Sequence, residues 1–445
     1  MSDSFDLILK NGTVVTPWGT AVCDIAVRAE RIAAIGALGS ATATSVRDVR
    51  GLHVLPGVID SQVHFREPGP THKEDLETGS RAAVLGGVTS VFEMPNTAPP
   101  TTTREALNDK FQRAQGRMWC EHAFYVGATP ENARSLAGLE CLPGVAGVKM
   151  FMGSSTGTLL VSDDRDVEQV LLSGRRRVSV HSEDEDRLKA RRHLAEHGKP
   201  ATHPVWRDAE TAMIATRRVV RLARSASRRV HILHVSTGGE IAYLADHKDI
   251  ASVEVTPNHL TLVAPECYER LGTYAQMNPP VRDKSHWDAI WAGVRDGVVD
   301  VLGSDHAPHT REEKDKTYPD TPSGMTGVQT LVPVMLNHVS EGRLSVERFV
   351  DLTAHGPQRL FGLQTKGRIA VGYDADFTIV DLKARRTIEN KWIASRCGWT
   401  PFDGMTVTGF PVATIIRGHI VMWDGQLTGT PLGKPLRFLE ALSPC

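Results

Sequence analysis

Val54-Leu55-Pro56-Gly57-Val58-Ile59-Asp60-Ser61-Gln62-Val63-His64-Phe65-Arg66-Glu67-Pro68-Gly69 is an apolar run that ends in a polar cluster. The apolar part is too short for a helix and reads as a buried strand, 54–64. Side chains alternate along a strand, so His64 and Arg66 lie on the same side of it. An imidazole there can hold a metal while the guanidinium beside it meets a substrate anion. An ordinary polar strand end gives the same letters, so the reading depends on what the rest of the chain repeats.

It repeats the pattern. Apolar strands are predicted at 54–64, 88–94, 122–126, 147–151, 178–181, 230–234, 253–256 and 299–305, with helices between them at 74–85, 104–115, 208–224 and 285–294 among others. Eight strand–helix units in about 310 residues fit a (β/α)8 barrel enlarged by insertions. A doubly wound open sheet is the competing architecture, and no Gly-rich dinucleotide fingerprint follows any strand to support it.

The flanks differ. Phe5-Asp6-Leu7-Ile8-Leu9-Lys10-Asn11-Gly12-Thr13-Val14-Val15 reads as a hairpin turning at Asn11-Gly12, and further short strands run to about Val49. Short strands return at 367–371, 376–380 and 412–418. The expected organisation is a β-sandwich domain assembled from 1–53 and 364–445, beside a hydrolase barrel over 54–363.

Composition narrows the function. With 41% hydrophobic and 23% charged residues and a formal net charge of −1, the 445-residue chain has no basic surplus for nucleic acid or an anionic membrane. No apolar run reaches the roughly 20 residues of a membrane helix. The first residues lack a basic stretch followed by an apolar one, so no secretory signal is read. The six cysteines form no Cys-x-x-Cys pair. The expectation is therefore a cytoplasmic protein with free thiols.

The strand ends carry His64 and Arg66, then Asn96, Lys149, His181, His234 and Asp305. In a barrel these ends share one face, where the active site is built. Three imidazoles and a carboxylate are ordinary ligands of a divalent ion such as zinc. Lys149 is the discordant member. Burial near cations favours its neutral amine, and a neutral amine can take up carbon dioxide to give a carbamate able to bridge two metals.

Taken together, Asp60-x-x-x-His64, Lys149, His181, His234 and Ser304-Asp305-His306 resemble the amidohydrolase superfamily. Within it, His64-Phe65-Arg66-Glu67-Pro68-Gly69, Met94-Pro95-Asn96-Thr97, Met277-Asn278-Pro279-Pro280-Val281-Arg282 and Asp305-His306-Ala307-Pro308-His309 look like the dihydroorotases of the longer, bacterial-type branch. The resemblance implies that His181 and His234 hold one metal and His64 and Asp305 the other, with carbamylated Lys149 between them. It implies that Asp305 relays a proton from activated water to the leaving nitrogen. Arg66, Asn96 and His309 would hold the substrate carboxylate, and Asn278 the ring. The implied reaction is reversible hydrolysis of (S)-dihydroorotate to N-carbamoyl-L-aspartate, a step of pyrimidine synthesis. A homodimer and an aspartate transcarbamoylase partner are expectations of the same kind. The alternatives are another cyclic amidohydrolase, of the allantoinase or dihydropyrimidinase kind, and a non-catalytic partner of the transcarbamoylase.

Three positions depart from the pattern. Gln62 stands where the family has the first histidine of His-x-His, which weakens the His64/Asp305 metal position and leaves three outcomes open: one tightly held zinc, two with Gln62 as ligand or acting through a water, or a non-catalytic homologue. Asn258-His259 replaces a common pair of histidines. Gln329 stands where glutamate is commoner, a shift toward the allantoinase-like reading. Other features are set aside: His306 as a loop residue, Arg175-Arg176-Arg177 as a solvated turn, and Asp184–Arg192 as a charged helix start. Gly153-Ser154-Ser155-Thr156-Gly157 reads as pocket wall, and 310–324 as a mobile lid.

Overall fold

The computed structural model describes residues 4–155 and 157–441. Eight strands run parallel in sequence order: β1 (Val58–Val63), β2 (Val88–Glu93), β3 (Glu121–Gly127), β4 (Val145–Phe151), β5 (Val178–His181), β6 (Val230–Ile232), β7 (Ala251–Val255) and β8 (Val301–Leu302). Last meets first. Val63 bridges His306, the His64 N–H donates to the His306 carbonyl at 2.7 Å, and the Ser304 N–H donates to Asp60 Oδ1 at 2.9 Å. That closure gives the barrel and not the open sheet. Every residue of the eight strands is buried, as strands packed inside the barrel and under helices outside must be.

The intervening helices start where polar caps sit. Asp75 accepts the Thr78 N–H at the start of Leu76–Leu85, and Asp208 accepts the Thr211 N–H at the start of Ala209–Ser225. Each cap satisfies a backbone donor that the helix itself leaves open. The apolar stripe of Ala209–Ser225 (Ala212, Ala215, Val219, Val220, Ala223) is buried toward the barrel.

The two ends of the chain share a nine-stranded sheet. His53–Pro56 pairs antiparallel with Phe377–Thr387 on one side and parallel with Phe5–Thr16 on the other, which ties the terminal segments together. The predicted strand 54–64 is thus two strands in two sheets. The chain crosses between them at Gly57, where a Cβ would lie 2.4 Å from Thr89 Oγ1. Only glycine lets the two layers approach that closely.

Four further expectations are corrected. Asn11-Gly12 is no hairpin turn: Phe5–Thr16 runs through it with a bulge between Leu9 and Gly12, and the chain reverses after Thr16, which pairs with Gly19. Asn11 takes the left-handed backbone (φ 62°) and gives its N–H to Asp24, so the turn letters serve a bulge. Residues 367–371 form no strand. Gly367 and Ile369 are the residues buried there. Arg176 is buried, not solvated, because its guanidinium serves the Val145 and Ala146 carbonyls at 2.7 and 2.9 Å. Cys23, Cys120, Cys267 and Cys397 are free thiols, whereas Cys141 is disulfide-bonded. No local spacing announced that pairing, and Cys445 lies outside the described residues. No described helix is long and apolar enough to cross a membrane.

Candidate active site

At the C-terminal ends of the strands lies a small cavity lined by Gln62, His64, Arg66, Asn96, Lys149, Phe151, Ser155, His181, His234, Asn278 and Asp305, among others. Gln62, His64 and Arg66 all line it as expected, although the strand ends at Val63 and His64 and Arg66 lie beyond its alternation. Arg66 (φ 64°), His234 (φ 39°) and Asp305 (φ 47°) take left-handed backbone conformations. Such strain is unfavourable for residues with a Cβ and persists where surrounding structure imposes it.

His181 and His234 form one pair. Their facing nitrogens, Nδ1 of His181 and Nε2 of His234, are 3.1 Å apart. His181 Nε2 lies 2.8 Å from Glu183 Oε2. Burial acts to raise the Glu183 carboxyl, but Arg207 and His181 outweigh it and hold the group well below the usual carboxylate range. Glu183 is therefore an anion that takes the His181 Nε2–H, which leaves a lone pair on Nδ1. Burial also drives the His234 imidazole well below its ordinary pKa, so it too is neutral. Its Nδ1 is buried without a hydrogen-bond partner. Whichever nitrogen of His234 carries the proton, a buried polar atom is left unsatisfied. With the His234 proton on Nδ1, the two facing nitrogens present lone pairs to one another, and a cation between them would use both.

His64 and Asp305 form the other pair, with His64 Nε2 and Asp305 Oδ1 at 3.2 Å. His64 Nδ1 lies 2.8 Å from Asn96 Oδ1, which fixes the ring with Nε2 at hydrogen-bond distance from the carboxylate. Gln62 Nε2–H donates to the same Oδ1 at 2.9 Å, and its own Oε1 is buried with no partner. Among the described residues, no three His, Cys, Asp or Glu side chains gather as a metal cluster by themselves. The donors come as two pairs.

Lys149, on β4, lines the same cavity. It is 1% exposed, and its Nζ lies 4.4 Å from the centre of the Phe151 ring. Burial lowers its amine to about 7, against the pull of Asp305 and Glu254. Glu254 is pushed up to about 8 by burial and accepts the Ser61 hydroxyl at 2.7 Å. It lies so close to Gly303 that a Cβ there would be 2.6 Å from the carboxyl.

Arg66 is 3% exposed. Its Nε donates to the Pro308 carbonyl at 3.2 Å, and Nη2 lies 3.3 Å from His309 Nε2. Among the described residues no carboxylate forms an ion pair with it. His309 is fully buried behind Arg66 and does not line the cavity. Asn278 accepts from His203 at 3.0 Å and donates to Ser155 Oγ at 3.3 Å. With Ser155 and Ser323 it also borders an outer chamber of about 520 Å³ that carries Leu188, Trp206 and Arg192.

Several residues of the site were not read from the sequence. Glu183 stands two after His181 on a strand end, a spacing that puts both on one side. Arg207, its ion-pair partner, gave no such signal. His306 is the loop residue it was read as: its Nδ1 accepts the Gly327 N–H at 3.0 Å. Gln329 bonds the Trp392 carbonyl and the Ala394 N–H, at 2.7 and 2.8 Å, so its identity carries no information about substrate. The 310–324 segment holds a capped helix, Arg311–Lys314, and buried Lys314.

The model of the Amidohydrolase family matches residues 53–421. A dihydroorotase of Halobacterium salinarum is 38% identical over 426 residues, covering 94% of this chain and 97% of its own. An allantoinase of Deinococcus radiodurans is 34% identical over 448 residues, covering 98% and 99%. Among solved structures, an L-hydantoinase (dihydropyrimidinase) from Arthrobacter aurescens superimposes with a TM-score of 0.93 at 30% identity, covering 97% of this chain and all of that one.

Proposed function

The chain belongs to the amidohydrolase family and is a cyclic amidohydrolase, and we propose that its substrate pair is (S)-dihydroorotate and N-carbamoyl-L-aspartate. The observation that carries this choice is Arg66. A guanidinium buried at a cavity wall without a carboxylate is costly unless a ligand supplies the anion. Dihydroorotate and carbamoyl-aspartate carry a carboxylate for the planar Arg fork. A simple dihydropyrimidine or hydantoin ring does not. The named dihydroorotase relatives support the same reading.

The donor chemistry suits a divalent metal, with zinc the ion we assign. His181 and His234 would hold one ion, and His64 and Asp305 are the donors available to a second. Lys149 lies in the same cavity, and its neutral amine would add to carbon dioxide, forming an N–C bond and releasing a proton, to give the anionic bridge. A metal held there supplies the Lewis acidity that lets water ionise near neutral pH.

The chain's own residues do the rest. Arg66 and Asn96 bind the carboxylate, with His309 fixing the Arg66 fork from behind. Asn278 holds the ring edge. Asp305 takes a proton from the attacking water and delivers it to the amide nitrogen as the C–N bond breaks. Gln62 keeps Asp305 turned toward the ring.

A second reading has its own observation. The outer chamber, with Leu188 and Trp206 on its wall, leaves room for an apolar substituent on a hydantoin ring. The test is hydrolysis of (S)-dihydroorotate, allantoin, dihydrouracil and a 5-substituted hydantoin by the zinc-supplemented protein. Chelator-sensitive turnover of dihydroorotate above the others is expected. A preference for the substituted hydantoin would overturn the assignment, and inertness toward all four would leave the non-catalytic reading.

A further inference from the structure

The two donor pairs differ in how far the protein itself satisfies them, and the difference traces to Gln62. Around Asp305 Oδ1 a donor is already in place: the Gln62 amide N–H, at 2.9 Å. The amide cannot serve both ways. With its nitrogen on Asp305, its oxygen is turned elsewhere and is buried with no partner. Reversing the amide would set that oxygen against the carboxylate, with no hydrogen between them. At His181 and His234 the facing nitrogens have only each other, 3.1 Å apart, and among the described residues no third side chain donates to either. Glu183 already takes the outer proton of His181, and the His234 Nδ1 is unpartnered.

We propose that Gln62 is a positioning residue that makes the site unequal: one divalent cation is retained, at His181 and His234, while the Gln62 amide holds Asp305 with His64 as a proton-handling pair that does not retain a second cation. The inference rests on the metal-dependent reading above and deepens it. Glu183 fixes a lone pair on His181 Nδ1, and His234, with its proton on the outer Nδ1, turns a second lone pair to meet it, so a cation there displaces no protein donor. A carboxylate oxygen already receiving a charge-assisted hydrogen bond has less need of one, and a second ion would have to displace that N–H. Gln62 offers only a neutral oxygen in exchange, a weaker zinc donor than imidazole or carboxylate.

The test is stoichiometry, read without substrate. The full-length protein is stripped with chelator, reloaded with excess zinc in bicarbonate buffer and passed through a desalting column, and metal per chain is measured. The wild type is expected to keep one zinc and Gln62→His two. Manganese loading gives a second readout by electron paramagnetic resonance. Wild type should give the spectrum of isolated ions, and Gln62→His the exchange-coupled spectrum of two neighbouring ions. Two retained zinc ions in the wild type overturn the proposal. So does a folded Gln62→His variant that keeps only one. Should that variant fail to fold, the isosteric Gln62→Glu replaces it with the same expectation, because a carboxylate cannot donate to Asp305 and adds a charged ligand. Dihydroorotate turnover is measured separately. An inert protein that keeps one zinc removes the proposed substrate and leaves the unequal site standing.

Discussion

Both ends of the barrel bury charge, and they do so in opposite ways. At the end facing the terminal sheet, Lys366 lies 2.6 Å from Asp376, 3.1 Å from Asp374 and 3.5 Å from Glu121, while Arg417 meets Glu121 and lies 3.3 Å from Glu30. Each buried cation there is answered by carboxylates. At the other end Arg66 and Lys149, 3% and 1% exposed, have no carboxylate in ion-pair reach among the described residues. Pairing offsets most of the cost of desolvating a charge, so the first arrangement holds two sheets together. The second carries an uncompensated cost that only a ligand or a chemical change of the group can offset. Unpaired buried charge at a cavity marks function; paired buried charge marks architecture.

Arg66→Ala breaks the comparison where it is sharpest. Losing one member of a buried charge pair costs roughly 2–5 kcal/mol, so kcat/KM on dihydroorotate should fall by about 30-fold to several thousand-fold. Zinc content and the unfolding midpoint should hold, since no protein carboxylate loses a partner. Undiminished turnover would remove Arg66 from the substrate and the dihydroorotase assignment with it.

Lys366→Met is the mirror experiment. It leaves Asp374 and Asp376 buried beside an apolar side chain, and breaking such a pair destabilises by about 3–5 kcal/mol. Denaturant unfolding would read the loss, while turnover per folded molecule stays at the wild-type value. A variant of normal stability but reduced turnover would reverse the roles assigned to the two ends.

Glu183→Gln tests a residue that belongs to both patterns, being paired with Arg207 and also in contact with His181. Partners that orient a metal-binding histidine typically contribute 10–100-fold in metal affinity or activity. Zinc affinity should fall by about that factor. A change in stability alone would make Glu183 architecture.

The active end was far more legible in the sequence than the paired end. His64, Lys149, His181, His234 and Asp305 each lie at or within three residues of the end of an apolar strand, and that recurring position is what the sequence displays. The barrel was legible for the same reason: eight apolar runs alternating with capped, charged helices leave few other packings. What escaped was long-range. The partition of 54–64 between two sheets depends on Gly57 meeting Thr89, and Arg176 is buried because carbonyls from β4 surround it. Asn11-Gly12 has the letters of a turn, but its neighbours pair on through it. His309 sits behind Arg66, outside the cavity wall, which no motif could specify. Gln62 was visible as a departure, yet only its hydrogen bond to Asp305 shows what an amide does there.

Lys314 is the case that strains the comparison. It is fully buried and, among the described residues, pairs with no carboxylate. It donates to the Pro322 and Gln276 carbonyls, at 2.9 and 3.4 Å, and does not line the cavity. With neither an ion pair nor a ligand, the remaining way to offset the cost is to give up the charge, and burial lowers its amine from 10.5 to about 7. The sign of the consequence is fixed. Between pH 7 and 10.5 the unfolded chain binds a proton that the folded chain has lost, so stability rises with pH across that window, by at most about 1.4 kcal/mol per pH unit. Below 7 both states are protonated and the penalty is complete. Lys314→Met removes the titrating group and leaves a side chain of similar length. The stability difference between variant and wild type should therefore shift in favour of wild type by about 1 kcal/mol or more on going from pH 7.5 to 9.5. Other titrating groups cancel in that difference. A difference that stays flat would mean the ammonium remains charged inside the fold, sustained by two carbonyls alone, and absence of a carboxylate would then no longer distinguish functional cations from structural ones.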